Sequence, residues 1–191
     1  MRSLLVQPPH AVMVDARSNI LLWEGGHIAS LAGAVIQPVE AHRNGKYLTL
    51  EDVLGHIILD ESVTSSPTRV IAIENPLHGM VMPLEEVRRI ARFARENGVK
   101  LHLDGARLFD AVVAGAGSLP DYCREFDTVS LCFSKGLGAP VGSMIIDNER
   151  VILQARKLRQ SIGGGLHQAT RYPTYSLDEF QRGSWPVARR F

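Results

Sequence analysis

Short apolar runs alternate with amphipathic segments along most of the chain. The runs have the length and the β-branched content of strands, and they cover residues 11–14, 35–39, 69–73, 99–103, 128–133 and 142–146. The amphipathic segments between them are predicted to be helices. The clearest covers residues 84–97, where apolar residues recur at spacings of three and four and Gly98 is placed to end the helix. Another covers residues 107–114.

Side chains that can cap a helix precede three further segments. Ser18 or Asn19 opens a segment that runs to about residue 31 and is interrupted by two consecutive glycines. Thr49 and Asp52 have the spacing of a capping box, with Asp in place of the usual Glu. Asn148 precedes a long segment that runs to about residue 161. Each of these segments is predicted to be helical.

The alternation of strands and helices predicts the fold class. Connections of this length suit parallel strands, so the sequence indicates an α/β fold with a mostly parallel sheet and helices on both faces. Functional residues of such sheets gather where the strands end. Glu74, Asp104 and Lys135 each follow a predicted strand closely. We therefore expect them to contribute to one site.

Lys135 and Asp104 are the strongest candidates for chemistry. Lys135 follows an apolar strand and is surrounded by small residues in the string SKGLGAP, which suits an amine that attacks a carbonyl carbon. A carboxylate such as Asp104 can keep a cofactor's pyridine nitrogen protonated. Taken singly, each has an ordinary alternative, because Asp104 is equally a helix N-cap and Lys135 equally a surface loop lysine. The pair favours a pyridoxal phosphate (PLP) site.

Composition narrows the class of protein further. The chain has 191 residues, 45% of them hydrophobic and 21% charged, which is typical of a globular domain. A net charge of +1 favours neither nucleic acid nor an anionic membrane as a partner, and the apolar runs are too short to cross a bilayer. Cys123 and Cys132 set no disulfide framework, so we expect a reducing, cytoplasmic location. No metal ligation is expected.

Three strings carry a resemblance to a known family. HLDGARLF, SLCFSKGLGAPVGSMI and IGGGLHQA occur in this order, and the likeness continues upstream through WEGGHIASLAGAVIQPV, YLTLEDV and IENPLHGMVMPLEE. Together they resemble the PLP-dependent L-threonine aldolases, fold-type-I enzymes of the aspartate aminotransferase superfamily, over about residues 10–170. The resemblance implies a partial PLP-transferase large domain. The same scaffold is similar to that of certain alanine racemases.

The resemblance also implies roles for individual residues. Lys135 matches the lysine that forms the Schiff base, Asp104 the partner of the pyridine nitrogen, and Arg107 the arginine near the ring hydroxyl. Asn19 takes the position of a histidine that stacks on the ring. His167 takes the position of an arginine that reaches the phosphate. An amide stacks more weakly than an imidazole, and a histidine binds an anion in a pH-dependent way.

One further family histidine has no direct counterpart. Its position is occupied by Leu77, and His78 stands beside it in the string ENPLHG. We interpret His78 as a loop histidine in preference to a catalytic residue. Glu74 and Asn75 open the same string.

The implied reaction is cleavage of β-hydroxy-α-amino acids, such as threonine and allo-threonine, to glycine and an aldehyde. Family sites lie between subunits, so the resemblance also implies a homo-oligomer. Two alternatives stay open: a catalytically inactive remnant or binding module, and a PLP-dependent alanine racemase on the same scaffold.

The resemblance covers only part of the family pattern. We expect a partial large domain at residues 1–170 and a divergent, disordered tail at residues 171–191. The family's glycine-threonine loop, which binds the phosphate at a helix N-terminus, has no match here, nor has its C-terminal domain. We therefore expect weak PLP binding and little turnover from this chain alone.

Overall fold

A six-stranded sheet runs through residues 10–165, the part of the chain that this computed structural model describes. Its strands are β1 (Ala11–Asp15), β2 (Val35–Val39), β3 (Thr68–Glu74), β4 (Lys100–Gly105), β5 (Thr128–Cys132) and β6 (Ser143–Ile146). Their spatial order is β2-β1-β3-β4-β5-β6. All neighbours are parallel except β5 and β6, which are antiparallel. The predicted α/β class and the mostly parallel sheet are confirmed.

The helices occupy the predicted segments, with one addition. They are α1 (Asn19–Leu22), α2 (His27–Ala32), α3 (Leu50–Leu54), α4 (Leu84–Glu96), α5 (Leu108–Val113), α6 (Leu119–Cys123) and α7 (Glu149–Ser161). Gly25 and Gly26 separate α1 from α2 because both take positive φ values, 59° and 71°, which end a helix. The sequence missed α6, because a five-residue helix is too short to show a helical period.

Two predicted caps are confirmed. Thr49 Oγ1 accepts a hydrogen bond from the Asp52 N–H at 3.2 Å, and Asp52 Oδ2 accepts one from the Thr49 N–H at 2.9 Å, so the capping box is complete. Asn148 Oδ1 accepts from the Val151 N–H at 3.1 Å and caps α7. The shorter Asp side chain therefore completes the capping box as the usual Glu does.

Apolar cores lie on both faces of the sheet. The larger core packs β3, β4 and β5 against α3, α4 and α6, and the smaller one packs β1 and β3 against α2. On β4, Leu101 and Leu103 belong to the larger core. Successive side chains of a strand point to opposite faces, so His102 and Asp104 face the other side. One face of β4 is therefore apolar and packs in the larger core, and the opposite face carries the polar side chains of His102 and Asp104.

Some predictions concern residues outside the described range of 10–165. They are the boundary near residue 170, the tail at residues 171–191, and His167. Within residues 10–165, no helix combines the length and the apolar character needed to cross a membrane.

Gly105 ends β4 where β4 and β5 approach each other closely. A Cβ atom at this position would lie 2.9 Å from the Ser130 carbonyl oxygen and 3.0 Å from Leu131 Cδ2. Real side chains do not tolerate such distances to backbone, so one of the two strands would have to move. Glycine here keeps the ends of β4 and β5 in register.

Gly105→Ala is accordingly expected to destabilise the fold by about 1–3 kcal/mol, the usual cost of overpacking. The measurement is the unfolding midpoint in urea. Gly55→Ala is the matched control, because the nearest neighbour of its Cβ would be a backbone oxygen at 3.4 Å, an ordinary contact. We expect the control to be neutral or slightly stabilising. Equal midpoints for the two variants would contradict this account of the close approach.

Candidate active site

A cleft of about 450 Å³ opens at the carboxyl ends of β4 and β5. Asp104, Ser130 and Lys135 line its sheet side, and Asn19 faces them from α1. The other lining residues are Ile20, Glu24, His27, Ile28, Leu31, Ala32, His102, Ala106, Cys132, Ser143 and Leu158. Strand ends thus form one wall of the cleft, and α1 and α2 form another.

The parallel pairing of β4 and β5 brings Asp104 and Lys135 to the same cleft. Asp104 pairs in register with Ser130, and Lys135 lies in the loop that follows β5. This loop turns back at once, because the Gly138 N–H donates to the Lys135 carbonyl at 2.8 Å and Gly138 has a φ of 69°. The turn leaves the exposed Lys135 side chain at the cleft.

Asp104 is held by its own strand end. Its Oδ1 accepts from the Ala106 N–H at 3.1 Å, and its backbone carbonyl accepts from the Asn75 N–H at 3.1 Å. The alternative interpretation of Asp104 as a helix N-cap is wrong, because α5 is preceded at its N-cap position by Arg107. The half-buried carboxylate is therefore available to the cleft.

Glu74 ends β3 and pairs in register with Asp104. It is only 7% exposed, and its two carboxylate oxygens accept hydrogen bonds from Asn19: the backbone N–H donates to Oε2 at 2.8 Å, and the side-chain amide donates to Oε1. Burial raises the pKa of Glu74, and the neighbouring Asp104 charge adds to that rise, whereas the Asn19 donors and Arg107 oppose it. Asn19 is thus engaged with Glu74.

Arg107 lies at the exposed N-cap position of α5, near enough to Glu74 to influence its pKa. It is not among the residues that line the cleft. Of the predicted site residues within positions 10–165, the structure therefore brings Asn19, Asp104 and Lys135 together and leaves Arg107 beside Glu74. His167 lies outside the described range.

The loop after β3 places Leu77 and His78 differently. Leu77 is 3% exposed and exchanges backbone hydrogen bonds with Met80, at 3.0 and 2.8 Å. His78 is exposed, has a φ of 48°, and does not line the cleft. These positions agree with a loop histidine.

His102 is a cleft residue that sequence reasoning missed. It lies two positions before Asp104 on β4, so both side chains face the same side of the sheet. Its Nδ1 is 2.5 Å from Thr128 Oγ1 on β5. Burial lowers the pKa of His102 to about 3, so the ring is neutral at physiological pH. The alternation of side chains along a strand could have predicted that His102 faces the same side as Asp104. A single histidine, however, forms no motif that indicates a role.

Comparison with known proteins identifies relatives. The chain is 51% identical over 168 residues to Aldolase vrtJ of Penicillium aethiopicum and 47% identical over 171 residues to the low-specificity L-threonine aldolase of Candida albicans. It is 44% identical over 168 residues to Alanine racemase TOXG of Cochliobolus carbonum. Each match covers 88% of this chain but 43%, 46% and 43% of the respective relative. The chain therefore spans less than half the length of these relatives.

A solved structure and a family profile define the class. A putative L-allo-threonine aldolase from Listeria monocytogenes EGD-E matches 90% of this chain and 46% of its own, with a TM-score of 0.75 and 26% identity. The fold is a portion of the large domain of fold-type-I PLP enzymes. The profile of the beta-eliminating lyase family matches residues 1–183, and the chain belongs to that family, whose members depend on PLP.

The residues of the cleft fit this cofactor. PLP requires an amine for its aldehyde and an anion for its pyridine nitrogen, and Lys135 and Asp104 supply both groups to one cleft. The carboxylate comes from a strand end and the amine from a loop. Within residues 10–165, no cluster of three or more His, Cys, Asp or Glu side chains is arranged to hold a metal ion.

The low pKa of His102 predicts how stability depends on pH. Its folded-state pKa, about 3, lies below the ordinary value of 6.5, so the unfolded chain binds a proton that the folded chain does not. Stability is complete above pH 6.5 and falls as the pH decreases towards 3. Between pH 7 and pH 5, wild type should lose roughly 2 kcal/mol more stability than His102→Asn. Urea unfolding at the two pH values measures this difference, and identical losses would contradict it.

Proposed function

We propose that this chain supplies the lysine and the carboxylate of a PLP-dependent lyase site that cleaves β-hydroxy-α-amino acids. Threonine and allo-threonine are the proposed substrates, and glycine and an aldehyde the products. The observation that carries the proposal is that Asp104 and Lys135, from neighbouring parallel strands, line one cleft. Relatives named as aldolase and threonine aldolase, at 51% and 47% identity, support the reaction type.

Each candidate residue has a distinct task. When bound, PLP supplies an electron sink for the pair released as the substrate bond breaks. The Asp104 carboxylate would accept a hydrogen bond from the pyridine N–H and keep that nitrogen protonated, because a nearby negative charge favours the charged form. Lys135 Nζ would hold the cofactor covalently, and as a free amine it could hold a proton within the cleft.

The remaining predicted contacts are peripheral to this pair. We propose that Arg107 approaches the ring hydroxyl and that His167 contacts the phosphate, as the family resemblance implies. Asn19 occupies the wall opposite the sheet, where the family has a stacking histidine. An amide gives a weaker ring contact there than an imidazole, so cofactor affinity depends more on Lys135 and Asp104.

We further propose a homo-oligomer whose second copy completes the site. Leu22 is the last residue of α1 and Trp23 follows it. Their side chains are 53% and 75% exposed, and large exposed apolar side chains beside a cleft suit an interface.

We also propose a reducing compartment such as the cytoplasm. Cys123 and Cys132 are both free thiols, which is in keeping with such a compartment.

Racemisation of alanine on the same scaffold is the second candidate. The 44% identity to an alanine racemase favours it specifically, since that relative differs little in similarity from the aldolases. Both reactions need the same lysine and the same carboxylate, and they differ in which bond of the substrate breaks. A test of the cofactor site therefore applies to both candidate reactions, and only an analysis of the products separates them.

Covalent trapping tests the cofactor site. Purified protein incubated with PLP and reduced with borohydride is expected to carry one phosphopyridoxyl adduct on Lys135, identified by peptide mass spectrometry. Lys135→Ala should remove the adduct. Asp104→Asn should keep it but slow turnover by about 100-fold or more, because the ring nitrogen loses its charged partner. An adduct that persists undiminished in the Lys135 variant would overturn the assignment.

Product analysis separates the two reactions. Turnover by this chain alone is expected to be low, and at saturating PLP its products from L-threonine should be glycine and acetaldehyde, with no exchange of the alanine α-proton in deuterated water. The inactive variant Lys135→Ala serves as the blank. Racemisation of alanine without glycine formation would establish the second candidate instead. Neither product, despite a trapped adduct, would favour a binding module.

A further inference from the structure

Helix α1 lacks the cap that its sequence offers. Ser18 stands at the N-cap position and is 1% exposed, yet its Oγ forms no hydrogen bond among the described residues. The Leu21 and Leu22 N–H groups donate to the Ser18 carbonyl, but the Asn19 donors are satisfied from elsewhere in the chain. Glu74, 55 residues away on β3, accepts both from the Asn19 backbone N–H and from its side-chain amide.

The two hydrogen bonds from Asn19 to the Glu74 carboxylate form a strong contact. Hydrogen bonds to a carboxylate are about twice as strong as those between neutral groups, and this one is largely shielded from water. A helix of four residues has little stability of its own, because its nucleation cost is not repaid. The position of α1 therefore depends on what it is bonded to, and the Glu74 carboxylate is a bonded partner fixed in the sheet.

The contact sits directly beside the candidate cofactor site. Glu74 pairs in register with Asp104, so the residue that holds α1 and the residue proposed to hold the ring nitrogen are neighbours on adjacent strands. Asn19 and Ile20 of α1 line the cleft that Asp104 and Lys135 also line. Glu74 therefore joins the α1 wall of the cleft to the sheet wall.

We propose that Glu74 is a positioning residue, which holds α1 over Asp104 and so sets the width of the cleft for the cofactor ring. The proposal deepens the proposed function and rests on it. Glu74 acts through Asn19 and touches neither the cofactor nor the substrate. In this arrangement the Asn19 amide also joins α1 to the sheet, in addition to its proposed contact with the ring.

Hydrogen exchange and PLP titration test the proposal together. In Glu74→Ala without cofactor, the amides of residues 19–22 should exchange at least about 10-fold faster, and PLP should bind at least about 10-fold more weakly, as expected for loss of charged hydrogen bonds. Asn19→Ala keeps the backbone bond, so its effects should be smaller. In the Glu74→Ala background, Asn19→Ala should add nothing further to the exchange rates measured without cofactor.

Asp52→Asn is the matched control. Asp52 is also a buried carboxylate, 4% exposed, that bonds the start of a helix, but that helix is α3 and not a wall of the cleft. The Asp52→Asn substitution should lower the unfolding midpoint and leave PLP affinity within about 2-fold of wild type. Faster exchange in Glu74→Ala with unchanged PLP affinity would overturn the positioning role, and so would unchanged exchange.

The trapped adduct distinguishes failure of the Glu74 positioning role from failure of the proposed function. Wild type and Glu74→Ala should both yield the Lys135 adduct at saturating PLP, because Glu74 does not carry the covalent bond. If wild type forms the adduct and Glu74→Ala binds PLP equally well, the positioning role fails and the proposed function stands. If wild type forms no adduct, the proposed function fails and the positioning role fails with it.

Discussion

The register of three parallel strands is the constraint on which the site depends. Glu74, Asp104 and Ser130 pair across β3, β4 and β5, so their side chains form one row at the end of the sheet. Apolar residues at alternate positions of β4 belong to the larger core, and a shift of one residue would exchange them with His102 and Asp104. The free energy of burying that core therefore also fixes which polar groups face the cleft.

Much of the fold was readable from the sequence because its signals are local. Each strand is a short apolar run, α4 shows a helical period, and the caps at Thr49 and Asn148 involve residues three positions apart. The candidate pair of Asp104 and Lys135 was readable too, since parallel strands end at one edge and functional residues gather there.

The rest depends on contacts between distant parts of the chain. The bond from Asn19 to Glu74 joins residues 55 positions apart, and it exists because β1 and β3 are neighbours in the sheet. A serine in the N-cap position predicts a cap, but Ser18 makes no such bond. The pKa of His102 likewise follows from burial between strands, which a sequence does not display. For the same reason the bond between the Asn19 amide and the Glu74 carboxylate could not be predicted from the sequence.

The two candidate groups differ in how freely their backbones can move. Asp104 belongs to a strand that is hydrogen-bonded on both sides, whereas Lys135 follows its strand in a turn closed by two local bonds, from the Gly138 N–H to the Lys135 carbonyl and from the Ala139 N–H to the Phe133 carbonyl. A ligand held between them would have one immobile end and one end that tolerates displacement. An exchange of one amine for another at Lys135 would therefore take place in a loop and leave the strand pairing of the sheet intact.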